Sequence, residues 1–231
     1  MITTPNLPAH ISVRTRSLDH LPLKLPHQEV HCSVYSKTKR LIDILGALVG
    51  IAITTVITIP IAIIMYFDNP GPVFYSQTRC GVNGKTFRIW KFRSMVVGAD
   101  KLQHLVENQA QGQIFKNEND PRITWLGKFL RRTSLDEFPQ FWNVLKGEMS
   151  LVGTRPPTPN EVEQYESHHY QRLRVRPGLT GEWQANGRSD VQNFDDIVRM
   201  DIDYQHKWSP LYDIYLILRT VQVVFKQKGA C

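Results

Sequence analysis

Residues 44–67 read ILGALVGIAITTVITIPIAIIMYF, twenty-four consecutive residues without a charge and with one proline, Pro60. At about 1.5 Å per helical residue the run reaches roughly 36 Å, enough for a hydrocarbon core of about 30 Å. It therefore predicts a membrane element that keeps the rest of the chain at a bilayer surface. Two features set a hairpin beside the plain spanning helix. Pro60 lacks the N–H that a helix interior needs and its ring clashes with the preceding turn, so it is expected to break the element. Both flanks are basic, with Lys37, Lys39 and Arg40 before the run and Arg79, Lys85, Arg88, Lys91 and Arg93 after it. Basic loops stay on the cytoplasmic side, so basic flanks at both ends suit a chain that dips in and returns. On these residues alone the spanning helix and the re-entrant hairpin stand level.

Upstream of the run, residues 1–36 carry Pro5, Pro8, Pro22 and Pro26 with no apolar periodicity, which predicts a flexible tail. Residues 37–67 make the anchor, and residues 68–231 leave room for one domain of ordinary size. The apolar run lies too far in, and is too long, for the h-region of a signal peptide. Twenty-eight Lys and Arg against 21 Asp and Glu give a net charge of +7. Such a charge attracts anionic lipid, phosphorylated substrates or nucleic acid. Beside a membrane run the first two are the economical readings, and the basic residues interleave with acids without a nucleic-acid motif. Cys32, Cys80 and Cys231 are odd in number and lack metal-ligand spacing, which points to a reducing compartment rather than a disulfide framework.

Downstream, Asp68-Asn69-Pro70-Gly71-Pro72 closes the run with turn residues. The β-prone stretches 73–79 and 85–94 flank Asn83-Gly84 and predict a hairpin. Residues 95–132 read as helix and polar loop with a break at Asp120-Pro121, 137–146 as a short helix, 153–159 as a proline-rich loop, and 161–174 as a helix. From Leu211 to Phe225, apolar residues at helical spacing predict an amphipathic helix, packed in the core or lying in a membrane interface. The class is α+β and mainly helical.

Three patterns carry candidate chemistry. Asp136-Glu137 opens the 137–146 helix, where the positive end of the helix dipole favours an ionised carboxylate and attracts phosphate. Ser134 and Glu137 also have the spacing of a plain capping box. Arg155, Arg176 and Arg188 each stand beside turn formers, and a guanidinium on a rigid turn is a pre-organised fork for a diphosphate. Asp201 and Asp203 form a D-x-D, but residues two apart on a helix do not share a face, so they read as surface acids. The adjacent His168 and His169 read as surface for the same reason.

Taken in order, the blocks KRLIDILGAL (39–48), DNPGPVFYSQTRCG (68–81), KTFRIWKFRSM (85–95), DPRITWLGKFLRRTSLDEFPQFWNVLKGEMSLVGTRP (120–156) and RPGLTGEWQANGR (176–188) resemble the bacterial sugar transferase family, the monotopic phosphoglycosyl transferases. The resemblance covers about 195 residues, from Lys37 onward. It implies transfer of a sugar-1-phosphate from a UDP-sugar to a polyprenol phosphate (undecaprenyl phosphate) at the cytosolic face of the bacterial inner membrane, releasing UMP and using Mg2+. It implies a re-entrant helix, with Pro60 as the membrane break, anchoring a cytosolic catalytic domain. It implies Asp136 as nucleophile, forming a phosphosugar intermediate, and Glu137 as its partner in metal support and acid-base chemistry. Lys91 and Arg93 match a basic strand near the active site, Arg155 a phosphate-binding arginine, and Asp201 an acid important for activity.

The implied partners are the UDP-sugar, the polyprenol phosphate, membrane lipid, downstream glycosyltransferases of exopolysaccharide assembly and a second copy of the chain. Two departures stand out. The family's Ser-Pro break falls where this chain has Thr55-Val56, with Pro60 four residues later, and the large N-terminal membrane region of many relatives is not seen, which suggests a minimal form. The alternative class is a non-catalytic scaffold of the same fold. No residue names the sugar.

Overall fold

The computed structural model describes residues 28–109, 117, 119–186, 191 and 193–225. Its longest element is helix α1, Lys37–Asp68, which runs without interruption through Pro60. The expected break is therefore not an interruption of the helix. A proline removes one ladder hydrogen bond and crowds one carbonyl, and packing on both sides of it holds the helix together. The turns before it carry a threonine series, in which the Oγ1 atoms of Thr54, Thr55 and Thr58 donate to the carbonyls of Gly50, Ile51 and Thr54 at 2.6, 2.9 and 2.6 Å. Such back-bonding loosens a helix without ending it.

One stripe of α1 is buried along its length: Lys39, Asp43, Ala47, Gly50, Ile61 and Met65, spaced mostly three or four apart, with Ile57 packed beside them. Near its start, Lys39 Nζ donates to Val152 O at 2.9 Å and pairs with Asp213 Oδ2 at 2.7 Å. Near its end, Ile61 and Met65 pack with Phe92, Leu126 and Leu130. Gly50 sits so close to the Phe141 ring that an added Cβ would lie 2.3 Å from it. The opposite face, including Leu45, Val49, Val56, Ile59, Ile63 and Phe67, is exposed.

The hairpin forms as expected. Strands β1 (Phe74–Cys80) and β2 (Thr86–Phe92) pair antiparallel, with Tyr75 opposite Lys91, and Asn83 and Gly84 both take positive φ in the turn. Helix α2 spans Trp125–Arg132, capped by Thr124, whose side chain accepts from Gly127 N. A 3-10 segment, Leu135–Gln140, leads directly into α3, Phe141–Lys146. Strand β3 (Ser150–Val152) pairs parallel with β4 (Gly178–Thr180). Between them the single helix expected over 161–174 is two pieces: α4, Pro159–Glu163, and a 3-10 turn, His169–Arg174. Thr158 and Glu161 close a full capping box on α4. Helices α5 (Glu182–Asn186), α6 (Phe194–Lys207) and α7 (Pro210–Phe225) complete the domain. On α7, Leu216 is fully buried, whereas Leu211, Ile214, Tyr215, Leu218 and Val221, the apolar stripe read from the sequence, are exposed, so that stripe is not the face packed in the core.

Of the tail expected over residues 1–36, residues 28–36 are described, and they are tied down. His31 N donates to Arg174 O at 2.9 Å, Arg174 Nε donates to Glu29 O at 2.8 Å, and the His31 ring meets Trp208 edge-on.

Candidate active site

Asp136 and Glu137 occupy the first turn of the 3-10 segment Leu135–Gln140. Ser134 precedes it with φ 57°, a left-handed residue whose side chain makes no cap. The capping-box reading of Ser134 therefore fails: the turn reverses direction there, and Pro139 falls inside the short 3-10 stretch. The segment is fixed from behind by Leu135 and Phe138, which pack against the Ile61–Leu130 cluster, with Thr54 Oγ1 3.3 Å from Phe138 O. The carboxylate pair is thus mounted on the membrane-type helix.

Strand β2 runs alongside, and its Lys91 reaches Glu137 Oε1 at 2.7 Å. Asp136, Glu137, Lys91, Arg93 and Arg155 all line one cavity of about 1000 Å³. Five of the residues singled out in the sequence thus converge. Arg79, Arg122 and Arg131 line the same cavity and were not singled out. Arg79 points there only because β1 pairs with β2 and lies against the 156–161 loop: its Nη1 donates to Pro156 O at 2.9 Å. Burial first, and the neighbouring Arg155 second, pull its pKa down to about 10, which still leaves it charged at neutral pH. Arg131 is likewise pulled down by burial, with Asp136 acting in the opposite sense, and its Nε donates to Ser94 Oγ at 2.9 Å. Arg122 forms a buried pair with Asp120 at 2.6 Å.

One of these five, Arg93, is turned to another task, and the remaining expected site residues lie elsewhere. Arg93 lines the cavity, but its guanidinium is directed at Pro72 O, 2.7 Å away, and at Asn69, so it clamps the turn that follows α1. Arg176 is not among the cavity-lining residues; burial and the nearby Arg40 on α1 lower its pKa, and Asp43 opposes them. Arg188 lies outside the described residues. Asp201 is not a surface acid. It is 1% exposed and pairs with Arg172 Nε at 2.7 Å, whose Nη1 donates to Tyr165 Oη at 2.7 Å and whose Nη2 reaches Arg155 O at 3.5 Å. Burial works against the Arg172 charge and Asp201 overcomes it. Asp201 does not line the cavity; Arg172 stands between it and the Arg155 backbone.

Two adjacent carboxylates beside a cationic cavity suit Mg2+, which binds through one or two carboxylates plus substrate phosphates and keeps several waters. His168, His169 and Asp195 also cluster, and His169 is buried rather than on the surface. His169 Nδ1 accepts the Glu166 N–H at 3.0 Å, so Nε2 carries the proton that faces Asp195 Oδ1 at 2.8 Å. That is a satisfied hydrogen-bond chain. Among the described residues, the Trp183 indole N–H on the cavity wall has no hydrogen-bond partner.

Comparison with known proteins gives the same outline. A family model described as bacterial sugar transferase matches residues 34–227. The chain is 50% identical over 194 residues to the galactosyl transferase CpsE of Streptococcus agalactiae, covering 83% of this chain and 43% of that protein. It is 40% identical over 201 residues to the undecaprenyl-phosphate galactose phosphotransferase of Salmonella typhimurium, covering 83% and 41%. The exopolysaccharide production protein ExoY of Sinorhizobium fredii is 36% identical over 199 residues, covering 84% and 88%. The chain thus spans less than half the length of the first two relatives and most of the third.

Proposed function

The chain belongs to the bacterial sugar transferase family, and from that premise we propose that it transfers a sugar-1-phosphate from a UDP-sugar to undecaprenyl phosphate, initiating assembly of an exported polysaccharide. One observation carries the reading: Asp136 and Glu137 share a cavity with Lys91, Arg79, Arg131 and Arg155. A carboxylate can attack a diphosphate only where the combined negative charge is neutralised, and those cations supply this.

In the first step an Asp136 carboxylate oxygen attacks the sugar-bearing phosphorus of the UDP-sugar. The bond from that phosphorus to the bridging oxygen breaks, UMP leaves with the electron pair, and the sugar-1-phosphate is held as an acyl phosphate. In the second step a phosphate oxygen of the lipid attacks the same phosphorus, the acyl phosphate bond breaks, and Asp136 returns as carboxylate. Two easier transfers thus replace one difficult one. Arg155 binds the diphosphate, Arg79 adds its positive charge from the cavity wall, and Lys91 orients the Glu137 carboxylate. Asp136 and Glu137 would hold Mg2+, which supplies charge neutralisation on the phosphates.

For placement, we read α1 as embedded without crossing, with the domain on the cytosolic side of the inner membrane. A crossing helix would carry its two ends to opposite faces, about 30 Å apart. Lys39 and Met65 instead both pack on the same domain, while the apolar face between them stays open for lipid. Cysteine-accessibility labelling on either side of residues 44–67 is expected to place both on one side, and opposite sides would refute this placement. The function is tested by UMP release from detergent-purified protein given undecaprenyl phosphate, Mg2+ and a panel of UDP-sugars. Release with one sugar, lost in Asp136→Ala, is the expected result; silence across the panel favours the scaffold reading.

A further inference from the structure

A second cavity, of about 710 Å³, opens on the outer side of α2. Its walls include Ile64 of α1 and Trp125, Lys128, Phe129 and Arg132 of α2. The four α2 residues are spaced 3, 1 and 3 apart, so they share one face of the helix. The other face carries Leu126 and Leu130, which pack on Ile61 and Met65. Trp125 is 71% exposed and Phe129 44% exposed. No packing within the described residues explains two aromatic rings left open beside two cations. The combination belongs to a place where hydrocarbon and phosphate meet.

The cavity also shares a wall with the catalytic one. Arg131 and Asp120 line both this cavity and the one that holds Asp136. Arg131 therefore stands between the two spaces, with the Asp136 charge acting on it from the catalytic side. Resting on the transferase reading above, we propose that this groove is the acceptor site: prenyl units lie along Ile64, Trp125 and Phe129, Lys128 and Arg132 draw in the lipid phosphate, and Arg131 passes it toward Asp136. A plain bilayer phospholipid would meet the same aromatic-basic face, but would have no need of a groove set against the catalytic cavity. The volume is in the range of sites that enclose most of a drug-sized ligand, enough for the first prenyl units and not for the whole chain.

Two variants test this in detergent micelles, where bilayer docking is not required: Trp125→Ala with Phe129→Ala, and Lys128→Gln with Arg132→Gln. All four side chains are exposed, so their replacement spares the core. Each variant is expected to raise the KM for undecaprenyl phosphate at least about tenfold, one decade of affinity, with the KM for the UDP-sugar nearly unmoved. Equal rises in both KM values, or no rise in either, would overturn the assignment. A binding arm needs no turnover: a benzophenone-bearing polyprenyl phosphate is expected to crosslink within Trp125–Arg132, displaced by undecaprenyl phosphate and not by phosphatidylglycerol. Equal displacement by phosphatidylglycerol would reduce the groove to a bilayer contact and overturn the proposal, as would crosslinking elsewhere. Crosslinking here without UMP release would uphold the groove and sink the transferase reading instead.

Discussion

Two sets of charged residues in this domain are built in opposite ways. Behind β3 and α6, Lys39 places its donors on Val152 O, Tyr204 Oη and Asp213 Oδ2, at 2.9, 3.3 and 2.7 Å, with both partners of the ion pair under 5% exposed. Arg172 is enclosed just as completely, between Asp201 and Tyr165. These groups are saturated by the protein and have nothing left to offer a ligand. Around the cavity, Arg155 reaches the Glu161 side chain at only 3.4 and 3.5 Å, and Lys91 is partly open beside Glu137. The same residue types thus serve as structure where every donor is satisfied, and as binding capacity where donors line open volume. The comparison separates the charges whose loss should unfold the domain from those whose loss should silence it.

The sharpest way to break that separation is at Asp136. Asp136→Asn is expected to lower turnover by about 10^4-fold or more, as loss of a nucleophile does, with little change in the thermal midpoint. Steady-state UMP release and a melting curve on the same preparation check it. Asp201→Ala should reverse the pattern: an uncompensated buried partner costs about 3–5 kcal/mol, read as a fall in denaturant midpoint that exceeds the fall in activity of the protein still folded. Arg155→Ala falls between them, with an activity loss of about 10^2–10^3-fold, a rise in the KM for the UDP-sugar and an unchanged midpoint. If Asp201→Ala proved as stable as wild type, the buried pair would not be structural and the contrast would collapse.

The smallest expected effect concerns thiols. Burial first, and Glu161 second, push the Cys80 thiol up to about 11, so at neutral pH it stays neutral as well as enclosed. In a Cys231→Ser background, maleimide is expected to label the exposed Cys32 and spare Cys80 until the pH approaches that value. Labelling of Cys80 at neutral pH in folded protein would show that the core beneath α4 opens.

The hairpin was legible because β-prone runs and Asn83-Gly84 are local signals, and local signals decide a tight turn. The apolar run was legible as a membrane element, but its course through Pro60 was not. Whether one missing hydrogen bond ends a helix depends on what packs on either side, and those partners, Phe141 and Leu126 among them, lie far along the chain. Spacing alone offered a capping box at Ser134, whereas the left-handed turn observed there belongs to the tertiary fold. The pairing of Asp136-Glu137 with Lys91 was carried by the ordered motifs, not by periodicity. Arg79 and Arg131 carried no local mark at all, since only strand pairing and helix docking aim them inward. Turn logic selected Arg155 and Arg176 alike, because a rigid turn says nothing about which side of the domain it faces. Asp201 looked like surface because its partner Arg172 stands 29 residues away on another element.

The most direct test of the account is the intact mass of the protein after incubation with its UDP-sugar and Mg2+ in the absence of any lipid acceptor. The account expects one added sugar phosphate, mapped to the peptide bearing Asp136, cleared on addition of undecaprenyl phosphate and missing from Asp136→Asn. Turnover with acceptor present, but without any adduct under rapid quenching, would mean direct transfer between substrates and would contradict the nucleophilic role given to Asp136.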